Sequence, residues 1–287
     1  MRIGRTQGAK HVMALAQEAT YTPPAVVQKL GVQMRKTLLF VLVLALGSAV
    51  GASSALANHA WSSYHWARTA NPFTLQVGDN VNSTWDSHLD VAIADWTQSS
   101  VLDLQEVTGS ARGKCRPTNG RIEVCNGSYG SNGWLGLAQI WLSGGHIVQA
   151  TTKVNDTYFN TPTYNDPVKR QHVMCQEIGH DFGLDHQDES GADLDTCMDY
   201  SSALDNAHPN AHDYEQLETI YAHLDSTNSY TGAVSAGLAG TDAKPEKKDR
   251  TDRIKDSTIV EHFRDGSKRI THIFWALEGP RGDPDDD

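Results

Sequence analysis

Five residues in the stretch HVMCQEIGHDFGLDH, 172–186, have the types and spacing to act together on one ion and one water: Gln176, Glu177, His180, Gly183 and His186. On a helix, residues four apart share a face, so Gln176 and His180 point at the same place. Glu177 is turned about 100° around the axis. This aims its carboxylate at a water beside that place rather than at the ion. Glycine at 183 ends the helix and lets the chain reverse, and His186 returns as a further ligand. Such a set is a zinc site with one position left open. A zinc ion lowers the pKa of its water to about 7 and polarises a carbonyl. Glu177 is then the base that takes the water's proton and hands it to a leaving amine. The chemistry implied is peptide-bond hydrolysis near neutral pH.

Gln176 is the irregular member. Zinc prefers imidazole, thiolate and carboxylate to a neutral amide oxygen. Three readings stand side by side. Gln176 ligates through Oε1; or His180 and His186 hold the metal with waters or another side chain; or the metal is lost and the scaffold serves binding. His172 lies eight residues from His180, about 12 Å along the axis, and reads as a polar helix residue rather than a ligand.

The spacing Glu177-x-x-His180-x-x-Gly183-x-x-His186 resembles that of the metzincin clan of zinc metalloproteases, with Gln176 where the clan has its first histidine. The segment CMDY, 197–200, resembles the clan's Met-turn, with Met198 as its methionine and Tyr200 as a tyrosine that steadies the oxyanion. The order of elements is similar to the matrixin-like branch over roughly residues 60–225. The resemblance implies an α+β, zincin-like fold: a mixed, twisted sheet with an active-site helix and a C-terminal helix. It also implies one catalytic zinc and a polypeptide substrate. The substrate adds as a strand to a sheet edge, here supplied by residues 137–155. A metal-free, inactive binding module on the same fold is the alternative.

The elements that must position these residues are legible in pattern. FTLQVGDNV, 73–81, alternates as a strand. Trp85, Leu89, Ile93 and Trp96 make one face of a helix within 83–100, with Ser83 or Thr84 as N-cap. VLDLQEV, 101–107, is a second strand. Two more, 137–143 and 146–155, flank Gly144-Gly145. Residues 166–184 are helical, with Asp166 as N-cap, Pro167 at the first position and Gly183 as the stop. A last helix spans 212–224, with Leu217, Ile220 and Leu224 on one stripe. The domain so defined is 58–225. Residues 226–257 read as a linker. Residues 258–287 read as a hairpin-like segment around Asp265-Gly266 and a disordered tail. Twenty residues of hairpin form no domain alone, so they join the main sheet, pair with a partner or stay loose.

Composition sets the surroundings. The chain has 287 residues, 39% of them apolar, enough for a core, and a net charge of −11, which argues against a nucleic-acid partner. Arg35 and Lys36, the apolar run Leu38–Val50 and the site Ala55-Leu56-Ala57 read as a secretory signal peptide, 34–57. Residues 1–33 then read as a leader or an early-called start. The mature protein is expected to be a secreted monomer with no membrane span. Export favours two disulfides. Cys115 and Cys125 bracket a turn at Asn119-Gly120 and close as a small hairpin loop, which leaves Cys175 and Cys197 to pair. A Cys175 thiolate ligand is the alternative. Asp185, Asp188, Glu189, Asp193 and Asp195 form an acidic stretch that reads as a solvated loop, with a calcium ion as the second reading.

Overall fold

Phe73, Leu75 and Val77 face the core from one side of strand β2 (Phe73–Asn80), and the parallel strand β3 (Leu102–Thr108) follows it across helix α1 (Asp86–Trp96). A parallel pair needs such a crossover, and α1 supplies it by burying Leu89, Ala92 and Trp96. Neither Ser83 nor Thr84 caps α1. Asn82 takes the Thr84 amide through its side chain, and Trp85, fully buried, occupies the N-cap position with no side-chain cap. The computed structural model describes residues 59–111, 114–201, 203–230, 250–255 and 257–277. The leader, the signal peptide and the acidic tail expected from the sequence lie outside the described residues.

The remaining elements are β1 (His65–Trp66), β4 (Ile122–Gly127), β5 (Trp134–Ser143), β6 (His146–Asn155), α2 (Asp156–Phe159), α3 (Pro167–His180), α4 (Ala211–Ile220), β7 (Arg250–Lys255), β8 (Thr258–His262) and β9 (Lys268–Trp275). The sheet runs β3-β2-β4-β6-β5-β9-β8-β7, with β1 paired to β6. Pairing is parallel from β3 to β6 and antiparallel from β6 to β7. The architecture is therefore α+β with a mixed sheet, as the pattern predicts. Cys115–Cys125 is a disulfide, but its loop is no hairpin. Its second half is β4, a central strand lying parallel to both β2 and β6.

The stretch read as linker carries structure at both ends. Residues 225–230 pack along the chain after β1, with Asp225 N–H donating to the Arg68 carbonyl at 2.8 Å and Ser229 N–H to that of Ala67 at 2.9 Å. Residues 250–255 form β7. The hairpin β8–β9 joins the main sheet, β9 lying antiparallel to β5 with Ile140 opposite Ile270. Leu224, assigned to the apolar stripe of the last helix, lies beyond it and is exposed.

Helix α3 is a core helix. Asp166 Oδ1 accepts from the Val168 and Lys169 amides, Pro167 opens the first turn, and every residue from Arg170 to His180 is buried. It packs on α1, β5, β6 and β9. α4 starts at Asn210 with a reciprocal capping box to Asp213. A second disulfide, Cys175–Cys197, ties α3 to the segment before α4, so all four cysteines are paired and Cys175 offers no thiolate.

Candidate active site

α3 stops at His180, three residues before the glycine assigned as its stop. Gly183 then turns the chain at φ +95°, where a Cβ would strike the Tyr64 carbonyl. The turn brings His186 back onto His180. Their Nε2 atoms lie 3.0 Å apart, with the rings nearly perpendicular at 86°. Each ring is held from behind. His180 Nδ1 is 2.9 Å from the Leu184 carbonyl, which only accepts, so Nδ1 carries the proton there. His186 Nδ1 faces Glu189 Oε1 at 3.4 Å and Asp185 Oδ1 at 3.7 Å. Burial, then the neighbouring His272 and His186, push the His180 pKa well down and keep its ring neutral.

Gln176 is fixed by the turn below it. Its Nε2 donates to the carbonyls of Cys197 at 2.7 Å and Asp199 at 2.9 Å, while its Oε1 is buried with no hydrogen-bond partner. Met198, fully buried, sits under α3 at Gly179, where a Cβ would come within 2.5 Å of its sulfur and 2.7 Å of Trp96. Gly179→Ala is expected to destabilise the fold by about 1–3 kcal/mol through overpacking, read as a lower urea midpoint. An unchanged midpoint would show that the turn can move. The Tyr200 ring lies 4.3 Å from that of His186, and its hydroxyl is buried beside Ser257 without a hydrogen bond of ordinary geometry.

Glu177 is fully buried one residue along. The amides of Ala138 and Phe274 face its carboxyl, but neither closes a hydrogen bond of ordinary geometry. Burial first, and Asp181 second, hold its pKa well above the carboxylate range. β5 comes close enough that a Cβ on Gly136 would lie 2.5 Å from Glu177 Oε1. His172 lies one turn before Gln176, packed edge-on to Phe274 at 5.2 Å. Burial lowers its pKa to about 4.

Beside Tyr200 a cavity of about 570 Å³ opens among Leu135, Tyr164, Val173, Leu204 and Phe274. Phe274 belongs to β9, which occupies the edge of β5 that the sequence assigns to substrate. The same strand lays the His272 ring flat on His180, at 4.0 Å and 6°, and 6.0 Å from His186. Nothing local in the sequence marks His272 for this position.

The acidic stretch divides. Asp185 and Glu189 serve His186, and Asp188 accepts from Ser190 and the Ala192 amide. Asp193 and Asp195 meet Asp205 on the surface. Several His/Asp/Glu groups among the described residues are close enough to hold a metal ion. No model of a known protein family matches the chain. A search of curated proteins likewise finds no match.

Proposed function

We propose that this chain is a secreted zinc-dependent endopeptidase of metzincin-like, matrixin-like fold. The observation that carries the reading is the aim of two rings: His180 and His186 turn their Nε2 atoms to one point and tether their Nδ1 atoms to acceptors. That is how metal-bound histidines are held. Two nitrogens at tetrahedral zinc sit about 3.3 Å apart, close to the 3.0 Å here. The residues fit the ion: His180 and His186 would hold it, and Gln176 would add Oε1, the atom of its amide left without a partner. Zinc, when bound, supplies a polarised carbonyl and a water with pKa near 7.

The chain's own residues do the rest. Glu177 holds and passes the proton at its carboxylate, and the Tyr200 hydroxyl steadies the oxyanion. Both are buried, so water does not compete for them. β9 covers the edge of β5, so polypeptide binds along β5 only once β9 has left it. The two disulfides are compatible with an extracellular setting. Among the described residues no helix is long and apolar enough to cross a membrane. The second reading, a metal-free binding module, is favoured by the commitment of the Gln176 amide to two carbonyls.

The test compares the mature chain with His186→Ala, each dialysed against trace zinc. The variant is expected to hold one zinc fewer and to lose chelator-sensitive hydrolysis of an unfolded protein. Equal zinc content in the two folded samples sinks the reading and leaves the binding module.

A further inference from the structure

Past the C-terminal end of α4, three more histidines converge on one carboxylate. His65 lies on β1, His146 starts β6, and His223 and Asp225 follow α4. Asp225 Oδ1 is 3.4 Å from His65 Nε2, 3.3 Å from His146 Nε2 and 3.7 Å from His223 Nε2. His65 Nε2 is also 3.3 Å from Oδ2 and 3.2 Å from His223 Nε2. These separations are longer than the about 2.7–2.9 Å of a charge-assisted N–H···O bond. They match the edge of about 3.3 Å between ligands at tetrahedral zinc.

Proton placement points the same way. His65 Nδ1 lies 2.6 Å from the Ser63 carbonyl and donates to it. A neutral His65 therefore turns a lone pair at Nε2 toward the carboxylate and toward His223. Against the carboxylate, acceptor facing acceptor is repulsive unless a proton or a metal ion lies between them, whereas His223 can donate to His65 through Nε2. Asp225 is anchored for that role. Its Oδ2 accepts from the Arg68 amide at 3.1 Å and from Nη1 at 2.9 Å, leaving Oδ1 to the histidines. Ligands oriented by outer-shell partners are the mark of a built metal site. The side chains of His223 and His146 are 55% and 30% exposed, which gives the ion a way in.

We propose that His65, His223 and Asp225 bind a divalent transition metal, zinc by donor set, with His146 beside them on Asp225 Oδ1. This site is separate from the one at His180 and His186. The donors, two imidazoles and one carboxylate, suit zinc better than calcium or magnesium, which take oxygen. The ion would staple β1 to the segment after α4, beside the Arg68 and Ala67 backbone bonds, with its fourth position left to water or to His146.

The experiment uses the full secreted chain, dialysed against trace zinc and assayed by elemental mass spectrometry. Two zinc per chain are expected. His223→Ala, at an exposed position, should fold and keep its peptidase rate. It should hold one zinc, with affinity at the second site weakened by more than about 100-fold and a lower melting temperature. His146→Ala should weaken the same site less. Zinc content unchanged in both variants overturns the proposal and leaves a hydrogen-bonded cluster of histidines around Asp225. A single zinc lost in His186→Ala and kept in His223→Ala also overturns it, while sparing the endopeptidase reading. A single zinc lost in His223→Ala and kept in His186→Ala supports it and overturns that reading instead.

Discussion

Glu177→Gln is expected to lower kcat/KM for peptide hydrolysis by about 10²–10⁴-fold, the range a positioned general base contributes. Zinc content should not change. The substitution keeps shape and volume and removes only the capacity to hold a proton. The environment makes the contrast sharp. Glu177 is buried, its oxygens complete no hydrogen bond, and Asp181, equally buried, adds a second carboxyl nearby. A neutral amide is less costly there than a carboxylate, so the melting temperature should hold or rise. Steady-state kinetics, metal analysis and a thermal melt on one preparation separate the outcomes. A wild-type rate removes Glu177 from the chemistry, whereas lost zinc or a collapsed melt means that the carboxyl serves the fold.

The second large effect is expected at the C-terminal hairpin. β9 pairs with β5 from Trp134–Trp275 to Leu142–Lys268, sets Phe274 against Glu177 and His172, and stacks His272 on His180. A substrate that adds to β5 must displace it. If substrate adds there, the described arrangement is a closed form, and hydrolysis is expected to scale with the fraction of molecules in which the hairpin has left. If that fraction is about 0.1–10%, opening it fully raises activity about 10- to 1,000-fold. Ending the chain at Tyr230 tests this. Ile270→Asp is the milder companion: it places a charge opposite Ile140 only while β9 is docked. Faster cleavage by either variant, at wild-type zinc content, is the expected result. Two folded variants no faster than wild type would mean that β9 is permanent structure and substrate enters elsewhere.

Much of the site was legible because its logic is local. The Asp166-Pro167 start, the four-residue spacing of Gln176 and His180, and the Gly183 turn each follow from backbone geometry; the structure sets His180 against His186, His186 against Tyr200, and Gln176 on the turn that carries Met198. The disulfide pairing followed from one short loop. What escaped was set at long range. β4 shows no alternation because it is a central strand buried on both faces, and IEVCNG reads as loop. β7, RTDRIK, reads as linker because a charged strand at a sheet edge has linker composition. The hairpin was visible, but its partner was not: β5 and β9 are chosen for each other by burial of Ile140 and Ile270, which no window contains. For the same reason, His65, His146, His223 and Asp225 form no motif. Chain topology gathers them.

The amide of Gln176 has a consequence for any attempt to rebuild the metalloprotease signature. It offers two N–H donors and an oxygen at once, and the donors go to Cys197 and Asp199. A neutral imidazole that ligates through one nitrogen keeps a single N–H. Gln176→His would therefore withdraw at least one of the two donors that these carbonyls share with the His172 ring, a loss of about 0.5–1.5 kcal/mol. A histidine at 176 is thus not a free exchange: the side chain there and the turn beneath it are bonded as one unit, and a change at either requires a matching change at the other.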